Sequence, residues 1–216
     1  MSETTVPALP RLNAPAPDFR AVSTQGEISL AQFKGKWVVL FSHPADFTPV
    51  CTTELVEFAR LQEEFDRRNV QLIGLSVDSV YAHIAWIRNM EQHFGVTIRY
   101  PIIADLDMKV AEAYGMIHAG AASTATVRCV FVIDDQGLVR AMLYYPLTNG
   151  RNMQEIVRIV DALQTHERHQ VATPANWQPG DPVILPAPLT QGAAEARLRE
   201  GYDARDWYFA TRTLEE

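Results

Sequence analysis

Cys51 is the residue of this sequence whose setting most clearly points to chemistry. It lies in Ser42-His43-Pro44-Ala45-Asp46-Phe47-Thr48-Pro49-Val50-Cys51-Thr52-Thr53-Glu54, between two strongly patterned segments. The segment before it, Trp37 to Phe41, is a continuous apolar run and reads as a buried strand. The segment after it carries Leu55, Phe58, Leu61 and Phe65 at helical spacing and reads as a helix to about Arg67. Thr48 then falls at the N-cap and Pro49 at the first helical position, where a missing N–H costs nothing. Cys51 becomes the third helical residue. Its sulfur meets unpaired backbone N–H groups and the positive end of the helix dipole, and both favour thiolate over thiol. A dithiol reductase needs a second cysteine three residues on, but that position is Glu54. The thiolate must act alone, as a nucleophile toward an electrophile. Thr48 stands one turn back with its hydroxyl in reach of the sulfur, while Pro44 and Pro49 shape and shield the approach.

The elements that must position this cysteine follow from the rest of the pattern. Val70 to Val77 reads as the next strand, and Ile84, Ile87, Met90 and Phe94 mark a helix ended by Gly95. Pro101 to Ala104 predicts a short strand and Met108 to Tyr114 a short helix. Val127 to Ile133 and Val139 to Tyr144 predict strands joined by a turn at Asp134-Asp135-Gln136-Gly137. Gly26 to Leu30 forms a hairpin edge, and Met153 to Leu163 gives a covering helix. This order predicts an α/β fold of the thioredoxin-like type, a central mixed sheet flanked by helices. The cysteine helix then starts at the carboxyl end of its strand, where open α/β sheets place their chemistry. Three regions are expected: an N-terminal arm over 1–13, the thioredoxin-like domain over 14–170, and a C-terminal arm over 171–216. The arm opens on a proline-rich linker (Pro174 to Pro188), continues with a helix over Ala193 to Arg199, and carries Asp206-Trp207-Tyr208-Phe209. Three adjacent aromatics on so short an arm call for cover, either by folding back on their own domain or, the favoured answer, as a dimerisation arm packed on a second copy.

Composition narrows the partners. A net charge of −7 lacks the basic face that nucleic-acid binding needs. No apolar run approaches the ~20 residues that span a bilayer, so no membrane partner is expected. No basic-then-apolar leader opens the sequence, and its two cysteines make no disulfide framework, which points to the cytoplasm.

Pro44, Thr48 and Cys51 match the peroxiredoxin motif Pro-x-x-x-Thr-x-x-Cys, and the residues around them resemble the one-cysteine subfamily. The similarity continues through Thr126-Val127-Arg128, Tyr145-Pro146, Gly150-Arg151-Asn152 and Val171-Ala172-Thr173-Pro174. The resemblance implies a thiol-dependent peroxidase that reduces hydrogen peroxide and organic hydroperoxides through a sulfenic acid at Cys51. It further implies Arg128 as the residue that holds the thiolate and polarises the peroxide. Arg151 matches a second arginine, Glu54 the acid that orients the pair, and His43 the histidine beside the pocket. No cofactor is implied. A peroxide sensor or an oligomeric chaperone using the same oxidisable cysteine is the alternative function.

Cys129 is the only other thiol. Side chains alternate along a strand, so with Arg128 toward the site Cys129 points to the opposite face and reads as an inert core thiol. Ala204 and Ala210 stand where archaeal-type relatives carry tail cysteines. Regeneration is therefore expected from an external thiol, namely glutathione, thioredoxin or glutaredoxin. A homodimer that can close into a ring of dimers is the expected assembly. The serine associated with phospholipase activity in mammalian relatives is replaced by Lys36, and Gly74-Leu75-Ser76-Val77-Asp78 lacks the last glycine of a nucleophile elbow. His166 and His169 share a helical face but read as a solvated helix end, and no metal is assigned.

Overall fold

A computed structural model describes residues 9–122 and 124–214. Two compact units divide the chain, the first reaching Met153 and the second starting at Gln154.

The first unit is built on a seven-stranded mixed sheet. Its strands are β1 (Arg20–Ser23), β2 (Gly26–Ser29), β3 (Trp37–Ser42), β4 (Val70–Ser76), β5 (Ile102–Ala104), β6 (Arg128–Ile133) and β7 (Val139–Tyr145). They lie in the order β2-β1-β5-β4-β3-β6-β7. Strands β3, β4 and β5 run parallel, which requires the helical crossovers α1 (Pro49–Arg60), α2 (Gln62–Arg67) and α3 (Val80–Phe94). The β6–β7 hairpin then adds antiparallel to β3. Strand β3 is therefore central, and all six of its residues are buried. A short helix α4 (Lys109–Ala113) precedes β6.

Alternation along β3 separates two cores. Val38 and Leu40 join Ile73, Cys129, Phe131 and Tyr114 on one face. Phe41 turns to the other face and stacks on Phe58 of α1, with ring centroids 4.0 Å apart. Tyr100 meets both rings edge-on and donates its hydroxyl to the Leu55 carbonyl at 3.0 Å. Gly74 lies opposite Phe41 in the ladder, where a Cβ would stand 3.4 Å from the Phe41 ring and from Ile102. The missing side chain leaves space for the ring that anchors α1.

One local expectation needs correction, and two features lay outside the sequence reading. The helix after Cys51 is not continuous to Arg67: it breaks at Leu61, whose ψ of 6° ends α1 before α2 begins. The inward face of α3 is His83, Trp86 and Met90, whereas Ile84 and Phe94 are exposed. Apolar spacing selected the wrong stripe because a buried histidine leads the right one. Strand β1 escaped the sequence pattern altogether, being short, with only Ser23 of its four residues buried.

In the second unit, α5 (Met153–His169), which begins one residue earlier, is followed by a small antiparallel sheet. Its strands are β8 (Val183–Ile184), β9 (Asp203–Asp206) and β10 (Phe209–Arg212), in the order β8-β10-β9, with α6 (Gln191–Arg197) between β8 and β9. The proline-rich stretch is thus not wholly a linker, since Val183 and Ile184 pair with Arg212 and Thr211. Val171, Trp177, Val183, Leu185 and Ala210 form a private apolar core. Asp206 and Phe209 face each other across a turn that projects Trp207 and Tyr208 outward, both exposed. Among the described residues no helix is long and apolar enough to cross a membrane.

Truncating the ring that ties α1 to β3 tests this packing. Phe58→Ala should lower unfolding free energy by about 3–5 kcal/mol, read from urea denaturation midpoints at unchanged slope.

Candidate active site

The turn from β3 into α1 is short and locally specified. Ser42 ends β3, and the His43 N–H still donates to Leu75 of β4 at 3.0 Å, so strand geometry persists one residue further. The chain reverses at Asp46 and Phe47, the latter in the left-handed region at φ 56°. Thr48 then adopts extended geometry as N-cap and Pro49 opens the helix, as expected. One detail differs. The Thr48 hydroxyl does not cap the helix but donates to the Ala45 carbonyl at 2.8 Å. Its oxygen is left as an acceptor, and the first-turn N–H groups of α1 receive no side-chain cap from it. Pro44 is half-buried and Pro49 exposed.

Cys51 itself is fully buried, in the first turn of α1. Arg128, the first residue of β6, reaches it across the neighbouring strand β3. Its Nη1 donates to Cys51 Sγ at 3.2 Å and to Glu54 Oε2 at 2.8 Å. Its Nε and Nη2 both donate to the Leu147 carbonyl, at 2.9 and 2.8 Å. The guanidinium is thereby fixed in plane and in reach of the sulfur.

Glu54 is the joint of the site. One helical turn from Cys51, it accepts from the Arg151 backbone N–H and Nε through Oε1, both at 2.9 Å. Through Oε2 it accepts from Arg151 Nη2 at 2.7 Å as well as from Arg128. Burial alone would raise its carboxyl, but the Arg151 charge and hydrogen bonds, with Arg128 behind them, carry it below the ordinary range. Arg151 is in turn held by the Cys129 carbonyl at 2.8 Å and lies over the Phe41 and Phe58 rings. Among the described residues, two buried guanidiniums and one carboxylate leave one positive charge unmatched beside the sulfur. Any negative charge that sulfur carries is met there.

His43 is also fully buried, but it bonds to Asp46 rather than to the sulfur. Its Nε2 donates to Asp46 Oδ1 at 2.8 Å, and the other carboxylate oxygen accepts from His83 Nδ1 at 2.7 Å. Burial pushes the His43 imidazole below its ordinary value, against the opposing pull of Asp46. Asp46 and His83 were not singled out by the sequence. The available signal was His83, Trp86 and Met90 at i, i+3 and i+7, an apolar stripe with a histidine at its head. Among the described residues this trio is the one set of donor atoms close enough to share an ion, all within 4.8 Å, and here those atoms bond to one another.

Cys129 points away from the site, as alternation required. It lies in the opposite core beside Val127 and Phe131, with Sγ 3.0 Å from the Ser42 hydroxyl, and burial pushes its thiol up to about 11. Ser76 donates to Asp78 and is buried, consistent with its rejection as a nucleophile elbow. His166 and His169 are exposed at the end of α5, where the His166 ring donates to the Val171 carbonyl.

Replacing the joint tests its weight. Glu54→Gln leaves two buried guanidiniums uncompensated and should destabilise the protein by about 3–5 kcal/mol at neutral pH. Because the folded carboxyl titrates below 4.5, its contribution is complete above that value and is lost as pH falls through the folded one. The gap between wild type and variant in denaturant unfolding should therefore narrow as the pH falls below the ordinary glutamate value.

Comparison with known proteins agrees with this geometry. Residues 12–142 match the model of the AhpC/TSA family, and residues 162–201 match that of the C-terminal domain of 1-Cys peroxiredoxin. A peroxiredoxin of Aquifex aeolicus is 56% identical over 220 residues, covering 97% of this chain and 99% of its own. One of the archaeon Methanosarcina mazei is 50% identical, covering 94% and 98%. Among solved structures, a yeast mitochondrial 1-Cys peroxiredoxin, studied for thiol resolution via glutathione and thioredoxin systems, superposes with a TM-score of 0.85. It is 42% identical, and the match covers 94% of this chain and 99% of that one. With the lone buried cysteine of α1 and matches at both ends of the chain, this protein belongs to the one-cysteine peroxiredoxins, a family of thiol-dependent peroxidases.

Proposed function

We propose that Cys51 is the peroxidatic nucleophile, reducing hydrogen peroxide and organic hydroperoxides. The observation that carries this assignment is the Arg128 guanidinium 3.2 Å from a buried sulfur, with Glu54 fixing its plane. Cys51 as thiolate attacks the terminal peroxide oxygen, forming the S–O bond as the O–O bond breaks. Sulfur loses two electrons, and the departing oxygen takes a proton and leaves as water or alcohol. Negative charge moves from sulfur toward the leaving oxygen during this displacement. A fixed cationic donor that cannot lose its proton stabilises both ends of that path. The Thr48 oxygen, with its own proton given to Ala45, is free to accept from the peroxide hydroxyl. Pro44 shapes the loop that leads to it.

Regeneration then needs a thiol from outside. Cys129 sits on the opposite face of the sheet, and Ala210 and Ala204 oppose each other across the C-terminal hairpin, where no sulfur is present. An external thiol would attack the sulfenic sulfur, release water, and be displaced by a second thiol. The similar yeast protein works via glutathione and thioredoxin systems, so glutathione, thioredoxin or glutaredoxin is proposed here. We assign residues 14–170 as the peroxidase domain and 171–216 as an arm that joins two copies in the reducing cytoplasm. Exposed Leu189, Leu198, Trp207, Tyr208 and Phe209 support that role for the arm.

Turnover assays separate these roles. Cys51→Ser should abolish peroxide consumption, and Arg128→Ala should reduce kcat/KM by about 10²–10³-fold; an active Cys51→Ser enzyme refutes the assignment. Static light scattering should give twice the chain mass for wild type and a single-chain mass for Trp207→Asp. A wild-type monomer would dismiss the dimer arm.

A further inference from the structure

The buried trio of His43, Asp46 and His83 has no part in the scheme above, yet its protons are tightly constrained. A carboxylate only accepts, so Asp46 requires a proton on His43 Nε2 and another on His83 Nδ1. His83 is held from its far side as well, where Nε2 donates to the Ile103 carbonyl at 3.1 Å. The loop that carries Asp46 is fixed in turn, since its backbone N–H donates to Asp78 Oδ2, itself held by the Ser76 hydroxyl. Asp46 is kept ionised: burial opposes this, but the hydrogen bonds from both imidazoles bring its carboxyl below the ordinary range. His43 is then neutral with its one proton committed to Asp46. Its Nδ1 is left without a proton and, although buried, without any partner among the described residues.

An unpartnered acceptor in a dry site is costly to keep, so its retention calls for a use. Backbone parity says which side of the sheet it serves. Ser42 turns toward Cys129, so His43, which continues the ladder, turns with Phe41 to the face covered by α1 and Cys51.

We propose that Asp46 and His83 are positioning residues that lock His43 in its Nε2–H tautomer and hold Nδ1 as a bare acceptor for the hydroxyl of the incoming peroxide. Asp46 supplies the lock and His83 orients Asp46. The groups facing His43 are Asp46 from the turn, His83 from α3 and Asp78 from the end of β4. The role in turnover rests on Cys51 as nucleophile, whereas the tautomer does not, so the two can fail separately.

Long-range ¹H–¹⁵N correlation spectra of the imidazole rings test the lock. In wild type at neutral pH, His43 should show a protonated Nε2 and a bare Nδ1. Asp46→Asn must donate to one ring through its amide, so it should invert or mix the tautomers and lower kcat/KM for peroxide roughly tenfold to a hundredfold. His83→Asn keeps a donor near the position of Nδ1 and should preserve both tautomer and rate, while His83→Phe should preserve neither. A proton found on Nδ1 of wild-type His43, or an Asp46→Asn protein with wild-type tautomer and rate, overturns the proposal. Should His83→Phe fail to fold, the two asparagine variants still decide. Zinc added to the wild-type protein should leave the ring signals unchanged; loss of the two bridging imidazole protons would overturn the lock in favour of a metal centre. A Cys51→Ser protein that keeps turnover would defeat the nucleophile assignment while leaving the tautomer result standing.

Discussion

One carboxylate holds the site together. Glu54 accepts four hydrogen bonds from two arginines that arrive from different parts of the chain, Arg128 at the start of β6 and Arg151 beyond β7. Without it, two guanidiniums in a dry pocket repel each other, and only the Leu147 and Cys129 carbonyls are left to hold them. With it, Arg128 is pinned against the Cys51 sulfur and Arg151 against the Phe41 and Phe58 rings. Electrostatics and packing meet at the same residue, because the helix that presents Glu54 also presents Cys51 one turn before it and Phe58 one turn after it. Breaking such a charge cluster by removing one member costs far more than a surface pair does.

The sheet order explains why distant residues can share this pocket. Strand β3 delivers the cysteine loop at its end, and the β6–β7 hairpin adds beside it with Arg128 at the near edge. Alternation then places Arg128 toward the sulfur and Cys129 away from it. The same rule sends Ser42 to Cys129 and His43 to the face of α1. Two thiols within one small domain are thereby kept on opposite sides of a sheet, one beside a cation and one in an apolar core.

What the amino-acid sequence made legible was local. The helix start at Thr48 and Pro49, the position of Cys51 in its first turn, the absence of a partner thiol at Glu54 and the β6–β7 turn all depend on residues a few positions apart. Arg128, Arg151 and Glu54 were reached through family resemblance, since nothing in spacing tells a site arginine from a surface one. His83 stayed hidden because apolar periodicity gives a histidine no weight, although it heads the buried stripe of α3. Leu61 was read as a core residue of one long helix, and the backbone break there has no signal in side-chain hydrophobicity. The pairing of Ala204 with Ala210 also depends on tertiary register, which composition does not contain.

The central claim is that the Glu54–Arg128 arrangement directs oxidation to Cys51 alone. It is tested most directly by mixing the protein with one equivalent of hydrogen peroxide and dimedone, then mapping the adduct by peptide mass spectrometry. The account predicts a single sulfenic-acid adduct on the peptide containing Cys51 and an unmodified Cys129. An adduct on Cys129, or a Cys51–Cys129 disulfide in place of the adduct, would contradict it.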